Sequence, residues 1–122
     1  MIRGVRGATT VNMNDETLIV RETEKLYLAM ISENELKADN VASVLISVTD
    51  DIDAAFPAKA QRNIEGWKYV PVMCMKEIAV PESLQLCIRI MMHVNTDKGQ
   101  QEIHHVYLNN AVSLRPDLSV SK

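Results

Sequence analysis

Little in this chain is built for sharp bends or crosslinks. Its 122 residues include four glycines and four prolines, which argues against a loop-rich scaffold, because tight turns draw on those residue types. Two cysteines, Cys74 and Cys87, are too few for a disulfide framework and fit a reducing compartment. Aromatics make up 4% of the chain, so seven methionines with many Val, Ile and Leu must fill the interior. No apolar run approaches the roughly 18 residues of a membrane span, and the start, MIRGVRGATT, lacks a signal-peptide hydrophobic region. A formal charge of −3 without blocks of like charge offers no counterion release to nucleic acid or anionic lipid. The expectation is a soluble, cytoplasmic protein without nucleic-acid or membrane partners. Neither Cys-x-x-Cys nor His-x-x-x-His spacing is present, nor a glycine-rich phosphate loop or nucleophile elbow, so no metal site and no cofactor are expected.

What is present reads as one α+β domain over 1–122, with a thin but real core. IRGVRGATTV resembles a first strand. Asn14 is placed to cap a helix, with Asp15 and Glu16 suited to its positive end. Ile19, Thr23, Leu26 and Met30 then recur at helical spacing as far as Asn34. The nearly continuous apolar run VASVLISVT (41–49) predicts a central strand. Pro57 predicts a short helix to about Asn63, closed by Gly66, and Pro71 restricts KYVPVMCM to a sheet edge or an irregular connection. Residues 84–94 alternate: Leu86, Ile88, Ile90, Met92 and Val94 point one way, Cys87, Arg89, Met91 and His93 the other. HHVYL and AVSLRP predict two short final strands. One long helix then covers one face of a mixed sheet.

Arg89 sits between Ile88 and Ile90, where a guanidinium that cannot lose its proton requires an anionic or strongly hydrogen-bonding partner. Arg6 shares a side of its strand with Gly4 and Ala8, whose small size leaves room beside it. A solvated strand face is the ordinary setting for such arginines; two in a small acidic domain raise the alternative of a carboxylate or phosphate site. Lys59 and Arg62, three apart on the short helix, fit a cationic side, although a solvated helix surface is their ordinary setting. Cys74 and Glu77 lie three apart, but a nucleophilic thiol needs an activating base or cation, and a nearby carboxylate works against it. Cys74 therefore reads as a wall residue. His104 and His105, adjacent in an extended segment, point to opposite faces and cannot chelate one ion together.

The strings RGVRGATT, FPAKAQR, GWKYVPVMCMKE, CIRIMMHVNTD and HVYLNNAVSLRPDLS, in that order from residue 2 to about 119, resemble the monofunctional AroH-type chorismate mutases. The resemblance implies a homotrimer forming a pseudo-α/β barrel, with active sites between subunits, and conversion of chorismate to prephenate without cofactor or metal. It places the family's functional residues on Arg6, Arg89 and Glu77, with Tyr107, Arg62, Lys59, Phe56, Ala58, Met73, Cys74, Leu114 and Arg115 around the substrate. Met73 departs from the pattern, standing where relatives carry threonine. Two other readings stand beside it: a non-catalytic module for small carboxylates, and a trimeric imine deaminase-like enzyme, a class of similar size whose interfacial clefts also use an arginine for a carboxylate.

Overall fold

A computed structural model describes residues 1–114. Strand β1 (Ile2–Thr10) leads into helix α1 (Glu16–Asn34), followed by β2 (Val41–Val48), β3 (Val72–Lys76), β4 (Cys87–Asn95) and the two-residue β5 (Val106–Tyr107). The strands form one mixed sheet in the order β3-β2-β4-β1-β5. The central pairings, β1 with β4 and β2 with β4, are antiparallel, whereas β3 and β5 join as parallel edges.

Helix α1 packs on one face. Its Ile19, Leu26, Tyr27 and Met30 are buried with Val5 of β1, Ile46 of β2 and Ile88 of β4. The burial of Ile88, Ile90, Met92 and Val94 against half-exposed Arg89, Met91 and His93 bears out the expected alternation. Close packing sets the residue at position 7: a Cβ there would lie 2.5 Å from Met30 Sδ and 3.1 Å from Leu26 Cδ1, so only glycine lets the helix approach β1 this closely.

Several sequence expectations are corrected. The cap of α1 is Asp15, whose carboxylate accepts from the Leu18 N–H at 3.1 Å; Asn14 instead accepts from the N–H groups of Asp53 and Ala54. Asx side chains compete for several backbone donors near a helix start, and Asp15 has the extended backbone of a cap residue. The short second helix is a 3-10 helix, Pro57–Asn63, capped at Ile64; Gly66 lies beyond it at φ +89°. Among the described residues of AVSLRP, 111–114, no strand forms: Asn109–Ser113 is another 3-10 helix, because Asn109 takes a left-handed backbone (φ 54°) and its amide is held by Thr9, Thr10 and Glu22. Leu86 also has positive φ (51°) and precedes β4 rather than belonging to it. Glu35 and Glu82 complete the set of described non-glycine residues at positive φ.

Candidate active site

The sheet face turned away from α1 carries the charged residues. Arg89 on β4 stands across from Ala8 on β1 and Ser47 on β2, so two small neighbours leave space around its guanidinium. Glu77 directly follows β3, its N–H donating to Val48 O at 2.8 Å. Arg89 Nη1 donates to Glu77 Oε2 at 2.9 Å, and Ser47 Oγ donates to the same oxygen at 3.0 Å. Burial pushes the Glu77 carboxyl up, but the Ser47 hydrogen bond, the Arg89 charge and the Ile78 N–H together outweigh it and hold the group below the ordinary 4.5. Glu77 is therefore an anion at neutral pH. The side chains of Arg89 and Glu77 remain 41% and 25% exposed; such an open pair contributes little to stability, and its polar groups stay within reach of a ligand. Arg6, on β1 opposite Met91, donates through Nε to Tyr107 Oη at 3.1 Å. Arg6, Ser47, Glu77 and Arg89 line a hollow of about 270 Å³ walled by Leu45, Met75 and Met91.

A second hollow, of about 940 Å³, opens on the other side of edge strand β3. Phe56, Ala58, Lys59, Arg62 and Cys74 line it. The alternation of β3 divides its residues: Val72 and Cys74 face this hollow, while Met75 lines the first. Met73, 65% exposed, pairs in register with Leu45, a wall of the Arg89 hollow. Burial pushes the Cys74 thiol up, against an opposing hydrogen bond with the Ala58 backbone, so the thiol is not activated as a nucleophile. Lys59 is ion-paired with Glu16 in the first turn of α1. Buried Gln61 sets the floor: it accepts from Tyr27 Oη at 2.7 Å and donates to Trp67 O and Val70 O, tying the 3-10 helix to α1 and to the segment before β3.

The structure thus gathers Arg6, Glu77, Arg89 and Tyr107 on one face and Phe56, Ala58, Lys59, Arg62 and Cys74 on the other. The two hollows share no lining residue. Leu114 packs with Ala8, Tyr107 and Ala111, next to the first group; Arg115 lies outside the described residues. Sequence reasoning missed Ser47, Gln61 and Glu16. The period-two serines of VASVLISV are the signal for Ser47, since Ser43 and Ser47 interrupt an apolar strand on one face only. Tyr27, which donates to Gln61, and Lys59, which pairs with Glu16, lie 34 and 43 residues from those partners, and no local pattern announces them.

The description "Chorismate mutase type I" belongs to the family whose sequence model matches residues 2–118. This chain belongs to the type I chorismate mutase family. A relative from Bacillus subtilis (strain 168), Chorismate mutase AroH, is 52% identical over 122 residues, spanning 100% of this chain and 96% of its own length. Chorismate mutase AroH of Thermus thermophilus is 43% identical over 119 residues, covering 97% of each chain. The solved chorismate mutase from Clostridium thermocellum superposes with a TM-score of 0.88 at 53% identity, over 91% of this chain and 98% of that one. The α+β fold expected from the sequence is therefore that of a chorismate mutase.

Proposed function

We propose that this chain is a chorismate mutase that rearranges chorismate to prephenate, the branch step towards phenylalanine and tyrosine in aromatic amino acid biosynthesis, on the sheet face that carries Arg89. The observation that carries the reading is the Arg89–Glu77 pair, held by Ser47 beside Arg6 and Tyr107 in one hollow. The reaction is a unimolecular [3,3] rearrangement in which a C–O bond breaks while a C–C bond forms. It needs no nucleophile or proton transfer. The protein supplies a compact conformer of a flexible dianion and donors aimed at the ether oxygen as its charge grows.

In this reading the ether oxygen accepts from Arg89. A guanidinium has five N–H donors, and the bond to Glu77 engages one, so the same side chain serves the ether oxygen and a carboxylate. Glu77 accepts from the ring hydroxyl and balances the positive character that the ring gains as the oxygen becomes negative. Arg6 pairs with a carboxylate, its direction set by Tyr107. An acceleration of about 10⁶-fold corresponds to about 8 kcal/mol. One well-aimed donor to a developing oxyanion supplies about 3 to 4 kcal/mol, and conformer restriction is of a size to supply the remainder.

Lys59, Arg62, Phe56, Ala58 and Cys74 serve the same substrate from a neighbouring copy. Their position across β3 from Arg89 supports this: within one chain the two hollows face apart, and a homotrimer brings the cationic hollow of one subunit to the Arg89 hollow of the next. Met73 contacts substrate through its backbone, and Leu114 and Arg115 belong to the substrate-binding set. The enzyme acts in the cytoplasm; two free thiols, Cys74 and Cys87, fit that compartment. Incubating the purified protein with chorismate tests the reading. Prephenate must accumulate without added metal or cofactor, and carboxylate binding without turnover would favour the non-catalytic module instead.

A further inference from the structure

Arg6 is gripped twice, and the second grip comes from a residue that the mechanism does not use. Strand β5 is two residues long and pairs only Val106 and Tyr107 with Gly7 and Ala8. At Arg6 the backbone ladder has ended, and the Arg6 N–H donates at 3.0 Å to the ring nitrogen Nδ1 of His105. A side chain thus takes the place of the strand's next carbonyl. Two residues on, Tyr107 Oη receives Arg6 Nε at 3.1 Å. His105 and Tyr107 therefore hold the backbone and the guanidinium of the same arginine.

The imidazole is itself anchored. Buried Asn34, the last residue of α1, clamps the backbone of His104 on both sides. Its Nδ2 donates to His104 O and its Oδ1 accepts from His104 N–H, each at 2.8 Å. A continuous path runs from the end of the helix, through the His104 backbone and the His105 ring, to the backbone of Arg6.

We propose that His105 is a positioning residue for Arg6, acting as a neutral imidazole with the proton on Nε2 and the lone pair of Nδ1 turned to the Arg6 N–H. An acceptor at Nδ1 is required, because a proton there would set two donors against each other. The role extends the assignment of Arg6 to substrate binding and rests on it.

The test exploits the two ring positions. Asparagine places its amide oxygen where Nδ1 lies, whereas glutamine reaches to the position of Nε2. His105→Asn is expected to keep KM for chorismate near that of the parent. His105→Gln and His105→Ala are expected to raise KM about fivefold to tenfold, the worth of one hydrogen bond, with kcat changed less. Nitrogen-15 spectra of histidine-labelled protein, recorded without substrate, are expected to show Nδ1 of His105 as unprotonated and Nε2 as protonated. A protonated Nδ1, or an asparagine variant no better than glutamine, overturns the proposal. Should His105→Ala fail to fold, the Asn–Gln comparison and the parent spectrum still decide. The spectrum is independent of catalysis, so failure of the chorismate assignment is distinguishable from failure of this one.

Discussion

Arg89 and Glu77 are twelve residues apart in the chain, and their side chains meet at 2.9 Å with Ser47 bound to the same carboxylate oxygen. The carboxylate keeps one end of the guanidinium from rotating, so its other N–H groups point in a fixed direction. A donor that is already oriented needs no reorganisation when charge develops on its acceptor, and this is why such groups are worth more in a site than in water.

Arg89→Ala is accordingly expected to lower kcat by about 10²- to 10³-fold. Cys74→Ser, across the edge strand, should leave kcat nearly unchanged. Steady-state rates from the loss of chorismate absorbance check both. Equal losses for the two variants would remove the distinction drawn between donor and wall.

The pH dependence follows from the signs of the shifts. Glu77 has a folded-state pKa below its ordinary value of 4.5, so both the ionised site and the stability contributed by its pairing are complete above that value and decline as pH falls through the lower one. Cys87 moves the other way: burial pushes its thiol from 9.0 to about 11, with Arg89 opposing and Glu77 and Asp51 assisting. Its contribution is whole below pH 9 and is lost as pH rises from there to about 11. A flat rate across neutral pH is expected, with urea midpoints falling at both extremes. A bell-shaped rate centred near neutrality would contradict the mechanism.

Mixing two inactive variants tests the interfacial cleft. Arg89→Ala and Arg62→Glu chains, unfolded together in equal amounts and refolded, should regain activity in about a quarter of their clefts, where both contributing chains carry the intact residue. Sedimentation should give a trimer. No recovery on mixing would place both residues in the cleft of one chain.

Gly7→Ala is expected to destabilise the fold by about 1 to 3 kcal/mol, since the added methyl meets Met30 Sδ at 2.5 Å. Urea denaturation measures it. A following Met30→Ala change, which opens space for the methyl, should cost less in the Gly7→Ala background than in the parent.

Much of this arrangement was legible from the residues. Period-two alternation placed Arg89 and Met91 opposite the buried Ile88 and Ile90, and helical spacing found α1 to its last residue, because those patterns report burial directly. Pro71 correctly confined β3 to an edge. Residues 111–114 depart from the strand that the apolar Ala111, Val112 and Leu114 suggest, because Asn109, anchored to Thr9, Thr10 and Glu22, turns the backbone before one can form. The Arg89–Glu77 meeting was invisible to pattern alone. It depends on register between strands that are not neighbours, and entered only through resemblance to a family.

The scarcity of glycine leaves its mark at the corners. Glu35, Glu82, Leu86 and Asn109 hold left-handed backbone that glycine would adopt with less steric conflict. Each of these side chains also narrows the range of shapes open to the denatured chain, so less freedom disappears when the corner forms. Local discomfort in the native turns is thus set against a stiffer starting ensemble, and replacing any one of them with glycine shifts both sides of that balance together.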